Sequence, residues 1–422
     1  MLHISINEMM RAFNVLESQG CRASLLGIGP MSKPVIEAAL ELAEEKDFPV
    51  MFIASRNQID SDEFGRGYVC NWNQADFVNA VRDIAKKINF GGLYYICRDH
   101  GGPWQRDRER SGKLSASEAM EIAKRSFLAD LKAGFDLLHI DPTKDPHAKD
   151  IVPMESVLER TVELIEYVEK ERKKLDLPEV AYEVGTEETN GGLTSEETYS
   201  DFIKRLVQML SEKNLPLPLY IVGQTGTLTR LTENVGRFNP QFARKLSDIA
   251  KSYGVGLKEH NGDYLSDDIL LMHPGLGITA VNVAPEYGVA ETAAYLTLAE
   301  VERKYYDLGM VDDASLFVKT LRDETIRNER WRKWLVGDDA LKPVDEVIKN
   351  SEMADTIMRV GGHYSFDIPA VEKEKTKLFD NLSSCGLNPQ QLVIDSIKRS
   401  IGRYVECFGL EGLTAGILRV LK

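Results

Sequence analysis

The chain has 422 residues, 43% of them hydrophobic and 28% charged, with a formal net charge of −14. That composition is ordinary for a globular protein and leaves room for one large domain and a smaller appendage. The acidity argues against nucleic acid as a partner, because neutralising phosphates needs clustered Lys and Arg and no basic stripe runs along the sequence.

Apolar runs of strand length recur at intervals suited to βα units: 23–28, 49–54, 93–97, 137–140, 180–184, 219–222, 254–257 and 278–283. Each is nearly continuous rather than alternating, as expected for parallel strands buried on both faces. Between them lie stretches with apolar residues at helical spacing: 34–45, 77–88, 116–133, 154–175, 196–213, 240–252 and 291–308. The first starts with Pro34, a residue suited to the opening turn of a helix. The seventh connection, 267–272, is short. Strand and helix alternating eight times predicts an α/β fold, a (β/α)8 TIM barrel over residues 1–310. A doubly wound sheet is the competitor, but no phosphate-gripping GxGxxG follows the first strand. Beyond 310 the strand signal stops. Helical patterns at 315–335, 344–359, 371–382 and 390–408 predict a C-terminal helical region, 311–422, packed on the barrel.

Acid- and histidine-bearing segments sit just past successive apolar runs. They read Arg98-Asp99-His100-Gly101-Gly102-Pro103-Trp104, His139-Ile140-Asp141-Pro142-Thr143-Lys144, Val184-Gly185-Thr186-Glu187-Glu188, Gly223-Gln224-Thr225 and Lys258-Glu259-His260-Asn261-Gly262-Asp263-Tyr264. Polar clusters at the ends of several strands describe one open barrel face, where such folds build active sites.

With Ser55-Arg56-Asn57-Gln58, Gly67-Tyr68 and, in the tail, Gly362-His363-Tyr364-Ser365, this ordered set resembles the tagatose-bisphosphate aldolase non-catalytic (Z-type, GatZ/KbaZ-like) subunit family. That family lies within the wider class II aldolase-like barrels. The resemblance runs through essentially the whole chain. It implies a barrel and a sugar substrate. Some members are described as partners that stabilise a separate aldolase, and related proteins act as metal-dependent ketose or ketouronate C4-epimerases. The chain departs from the family after the eighth strand, where Ala284-Pro285-Glu286-Tyr287-Gly288-Val289-Ala290-Glu291 carries two carboxylates. These would repel a phosphate dianion, which favours a neutral sugar or a substrate gripped elsewhere.

The C4 proton of a 2-ketose is not acidic, so inversion there calls for cleavage of C3–C4, rotation of the aldehyde and re-formation of the bond. That needs a Lewis acid and a proton shuttle at the C4 oxygen. His100 and His260, with Gln224 and Glu187 as additions and Glu188 as a weaker one, form the expected ligand set for Zn²⁺, or for Mn²⁺, Ni²⁺ or Co²⁺. Asp99 is the expected acid/base at the C4 oxygen. Asp141 is the second, or else orients His139. Glu187 is the third carboxylate assigned to catalysis. Asn57, Gln58, Arg98, His139, Lys144, Asp263 and Tyr264 have the hydrogen-bonding repertoire for sugar hydroxyls.

Five scattered cysteines without a CxxC pair fit a reducing compartment. The N-terminus lacks the pattern of a signal peptide and no run is long enough to span a membrane, so the expected location is cytoplasmic. The expected function is therefore a metal-dependent ketose 4-epimerase acting on a sugar, its phosphate or a ketouronate. The alternatives are a non-catalytic stabilising subunit of a class II tagatose-1,6-bisphosphate aldolase, or an aldolase itself. Gln224, standing where a catalytic aldolase usually has a histidine ligand, counts against the last. A homo-oligomer or an aldolase catalytic subunit are the protein partners this reading allows.

Overall fold

The computed structural model describes residues 4–149, 151–186, 195–335 and 337–422. Within them, parallel strands β1 (Leu25–Ile28), β2 (Val50–Ser55), β3 (Tyr94–Gly101), β4 (Leu137–Ile140), β5 (Ala181–Val184), β6 (Tyr220–Val222), β7 (Gly256–Glu259) and β8 (Ala280–Val283) close into a barrel in the order 1-8-7-6-5-4-3-2. The predicted (β/α)8 barrel is the fold. Its strands are buried on both faces because helices cover the outside and side chains fill the inside.

Six of the seven barrel helices expected from the sequence start within three residues of the expected position, whereas the last starts at Pro285 rather than 291 and the helix Ile6–Ser18 was not expected. α1 (Ile6–Ser18) begins with a capping box between Ser5 and Glu8, and buries Met9, Met10 and Phe13. The Tyr220 hydroxyl donates to Met10 at 2.9 Å, so α1 closes the N-terminal end of the barrel. α2 (Lys33–Lys46), α3 (Gln74–Lys87), α4 (Ala116–Ala133), α5 (Met154–Lys174), α6 (Glu196–Glu212), α7 (Pro240–Ser252), α8 (Asp267–Leu276) and α9 (Pro285–Asp307) complete the outer ring. A small hairpin, Thr229–Arg230 with Glu233–Asn234, stands after β6.

The C-terminal region is helical and shares the barrel's core. α10 (Phe317–Arg327), α11 (Ser351–Gly361), α12 (Pro369–Ser384), α13 (Pro389–Cys407) and α14 (Leu413–Leu421) follow one another. α13 lies against α2 and α9, and α14 against α1. The predicted single helix 315–335 breaks after Arg327, where Glu329 takes φ 56°. A separate small core around Trp331, Ile326 and Ile357 holds the segment beyond the break. No helix among the described residues is long and apolar enough to cross a membrane.

β3 runs past its predicted end at Cys97 to Gly101, and that extension builds the site. Arg98 pairs with Leu138 of β4, and Gly101 with Ile140, so β3 carries one extra residue. Such a bulge re-aims a side chain. Here His100 takes a left-handed φ of 43°, which brings its ring to the mouth beside Asp99 instead of letting it alternate outward. A non-glycine residue held in that region is itself a pointer to function.

Candidate metal centre at the barrel mouth

Asp99 and His100 of β3, His139 of β4 and His260 just past β7 each place one ligand-type atom within 4.8 Å of the others. Three imidazole nitrogens and a carboxylate oxygen make a donor set suited to Zn²⁺ and neighbouring divalent ions. Among the described residues, His139 Nε2 is buried with no hydrogen-bond partner.

Each donor is held by a further group. Asp141 Oδ2 lies 2.6 Å from His100 Nδ1, while Asp141 Oδ1 accepts the Thr143 hydroxyl at 2.5 Å. Glu183 Oε1 lies 2.8 Å from His260 Nε2, and Glu183 Oε2 accepts from Lys258 Nζ at 2.5 Å. Asn282 of β8 donates to Asp99 Oδ1 at 3.0 Å and lies 3.2 Å from His260 Nε2. His139 Nδ1 accepts the His100 backbone N–H at 3.1 Å. At His100 and His260 a carboxylate on the far ring nitrogen fixes tautomer and orientation, as for metal-binding histidines generally. Two glycines make room. A Cβ on Gly27 would come within 2.2 Å of Asn282 Oδ1, and one on Gly185 within 3.2 Å of His139 Nε2.

The charges follow from this packing. Burial would push the Asp99 carboxyl up, but the imidazoles of His100, His139 and His260 hold it well below the usual carboxylate range. Burial would likewise raise Asp141, and the bond to His100 brings it down. Glu183 stays ionised because Lys258, then the imidazoles, outweigh burial. For His100, burial lowers the imidazole while Asp99 and Asp141 raise it, with a net rise. At His260 burial wins over Glu183, favouring the neutral, ligating form.

The structure brings Asp99, His100, His139, Asp141 and His260 together. Asp141 bonds His100 rather than His139. Lys144 is close enough to His100 to oppose its protonation. Gln224 is buried just past β6, with no side-chain hydrogen bond to the cluster among the described residues. The third imidazole comes from β4 instead. Glu187 and Glu188 lie outside the described residues.

The remaining polar residues assigned to sugar binding divide. Arg98 points to the outer side of the barrel, where it pairs with Asp130 of α4 at 2.5 Å and donates to the Ala54 and Ile59 carbonyls. Gln58 accepts from Ser55 N–H at 2.8 Å and braces the turn after β2. Asn57 joins that turn to the next loop, donating to Gln105 O at 3.2 Å. Asp263 accepts the Ala284 and Glu286 N–H groups. Tyr264 donates its own N–H to Glu286 at 2.7 Å, and its hydroxyl is buried without a partner among the described residues. Trp104 is buried with its indole N–H on Leu114 O.

Three functional positions were not read from the sequence: Glu183, Lys258 and Asn282. The available signals were a carboxylate inside the apolar run 180–184 for Glu183 and, for Lys258, its place two residues before His260 and so on the same inward face. The tail also reaches the mouth. His363 packs against Gly288 and, with Trp334 and Tyr364, lines a cavity of about 390 Å³ that Asn261 and the hairpin also border.

The sequence profile of the D-tagatose-1,6-bisphosphate aldolase subunit GatZ/KbaZ-like family matches residues 10–406. No curated protein sequence matches the chain. Among solved structures, a probable tagatose 6 phosphate kinase from Sinorhizobium meliloti 1021 is similar at 20% identity and TM-score 0.73, over 91% of this chain and 100% of that one. Fructose-bisphosphate aldolase from Campylobacter jejuni is similar at 13% identity and TM-score 0.54, over 97% and 95%. Fructuronate-tagaturonate epimerase UxaE from Cohnella laeviribosi is similar at 12% identity and TM-score 0.53, over 92% and 81%. At these identities the likeness is one of fold.

Proposed function

This chain belongs to the D-tagatose-1,6-bisphosphate aldolase subunit GatZ/KbaZ-like family, and from that premise and the site above we propose that it is a metal-dependent ketose epimerase inverting C4 by retro-aldol and aldol steps. One observation carries the reading. Asp99 stands among three imidazoles, and Asp141, Glu183 and Asn282 fix the orientation of that set. A subunit that only stabilises a partner has no need of such an arrangement.

Of the four donors, His100, His139 and His260 would hold the ion and leave the Asp99 carboxylate for proton transfer, Zn²⁺ being the best fit and Mn²⁺, Ni²⁺ or Co²⁺ also suited. Bound there, it would supply Lewis acidity that stabilises the enediolate left when C3–C4 breaks. Asp99, ionised at neutral pH, takes the proton of the C4 hydroxyl as the C3–C4 electron pair moves into the C2–C3 fragment. C4 becomes an aldehyde. After the aldehyde turns, C3 attacks its other face and the new C4 alkoxide recovers the proton from Asp99. Asn282, bonded to Asp99, holds that carboxylate in place through both transfers. Trp334, His363 and Tyr364 from the tail cover the mouth side and help retain the three-carbon fragments.

The family's own description as a subunit favours a second reading, a stabilising partner of a class II aldolase. The test is turnover by the purified chain alone against fructose, tagatose, their phosphates and the matching ketouronates. C4 interconversion without added aldolase supports the epimerase. An inert chain that raises the activity of an added class II aldolase supports the partner. Release of three-carbon products would mean an aldolase. The unpaired state of all five cysteines suits a cytoplasmic enzyme.

A further inference from the structure

Barrels of this kind commonly seat a substrate phosphate on free N–H groups at the last βα loops and a helix N-terminus. In this chain that seat is filled from within. Asp263 is buried, and one of its carboxylate oxygens accepts Ala284 N–H at 3.1 Å and Glu286 N–H at 2.9 Å, at the start of α9. The Glu286 carboxylate beside it accepts Tyr264 N–H at 2.7 Å and the Tyr404 hydroxyl. A phosphate arriving there would meet two carboxylates and amides already bonded. Glu291, the other acid of that segment, is turned away into a buried pair with Ser32 and Tyr295.

A basic cleft of about 330 Å³ opens where the loops after β2 and β3 meet the segment following α10. Arg66, Arg106, Arg108, Arg330 and Lys333 line it, against the acids Asp107 and Glu329. Arg66 is paired with Asp62 and Asp76, Arg106 with Asp60 and Lys333 with Asp107. Among the described residues neither Arg108 nor Arg330 is in an ion pair. The Arg330 guanidinium lies 4.6 Å from the Tyr68 ring centre and 5.1 Å from that of Tyr364, so its plane is held by aromatic rings, and among the described residues Asp107 acts on its charge without a direct contact. A held guanidinium fork whose N–H groups contact no carboxylate suits bidentate recognition of phosphate or carboxylate. The cleft is coupled to the metal centre by a short relay. Asn57 in its wall donates to Gln105 O at 3.2 Å, Gln105 donates to Asp141 O at 2.7 Å, and Asp141 holds His100.

We propose that Arg330, with Arg108 and Lys333, seats the single anionic group of the substrate, the terminal phosphate or carboxylate of an open-chain ketose, and that the usual phosphate seat after β8 is closed by Asp263. The sugar part rests on the epimerase reading, whereas the anion seat stands on the cleft itself.

Isothermal titration calorimetry of the full chain, metal-free and reconstituted, tests this with fructose, fructose 6-phosphate, fructuronate and fructose 1,6-bisphosphate as titrants. One of the two titrants with a single anionic group, fructose 6-phosphate or fructuronate, should bind more tightly than fructose and compete with inorganic phosphate. Arg330→Gln should weaken that ligand about tenfold or more and leave fructose unchanged. The phosphate and uronate arms identify which anion is used. Arg108→Gln, at an exposed position that leaves the aromatic stack in place, is read by the same criterion should Arg330→Gln fail to fold. Wild-type affinity for that ligand in the folded variants, or bisphosphate binding about tenfold tighter than monophosphate, would overturn the proposal. Anion binding lost on substitution, with no C4 inversion of any ketose, would keep the seat and refute the epimerase. C4 inversion untouched by Arg330→Gln would do the reverse.

Discussion

Glu183 and Lys258 form an ion pair of 2.5 Å inside the barrel, each about 1% exposed. The other Glu183 oxygen holds His260 at 2.8 Å, so one carboxylate serves both the core and the candidate metal centre. Glu183→Gln would leave Lys258 buried without its counter-charge. The expected cost in urea unfolding is about 3–5 kcal/mol, accompanied by metal affinity about 10–100-fold weaker. Unchanged stability would mean that Lys258 finds another partner.

His260 and Asp99 are expected to separate ligation from proton transfer. His260→Ala should lose bound metal by elemental analysis while keeping the circular dichroism of the fold. Asp99→Asn should keep metal and lose C4 inversion by about 100-fold or more, the range that positioned acid/base groups supply. Full metal stoichiometry in His260→Ala would remove it from the ligand set, and near-wild-type turnover in Asp99→Asn would remove Asp99 from the chemistry.

Gly27 lies where a Cβ would sit 2.2 Å from Asn282 Oδ1. Gly27→Ala should push Asn282 off Asp99, lowering kcat about tenfold or more through a misplaced base with metal content unchanged. A variant with normal kcat would show that Asn282 does not position Asp99.

Glu291 supplies a pH dependence with a definite sign. Burial pushes its carboxyl up to about 7, against the hydrogen bonds from Ser32 and Tyr295. The folded state then holds the proton more tightly than the unfolded chain, so the contribution is full below the ordinary carboxyl pKa and is lost as pH rises through 7. Glu291→Gln cannot ionise. Its stability relative to wild type should therefore improve from pH 5 to pH 8 by about 3 kcal/mol at most. Parallel unfolding curves at the two pH values would contradict the assignment.

The barrel was legible because parallel strands covered on both faces leave continuous apolar runs, and the residues just past them fall at one mouth. Asp99, His100 and His260 could be picked out on that ground, by type and strand position. The extra residue in β3 could not, since nothing in Arg98-Asp99-His100 announces that His100 turns inward with its neighbour. Arg98 looked like a sugar ligand by its hydrogen-bonding repertoire, yet strand alternation sends it outward to Asp130. Glu183 and Asn282 were hidden inside apolar runs, and Lys258 stood in a polar segment with nothing to show that it faces Glu183. Their roles depend on which strands become neighbours, as do those of Arg330 and His363, brought to the mouth only by the packing of a distant segment.

The central claim is C4 inversion by cleavage and re-formation of C3–C4 with metal bound. The measurement that tests it most directly is incubation of the chelated and the metal-reconstituted protein with a ketose substrate carrying deuterium at C4. The account predicts the C4 epimer only in the reconstituted sample, with deuterium retained and no free three-carbon product. Absence of the epimer, or its formation with deuterium lost to solvent, would contradict the account.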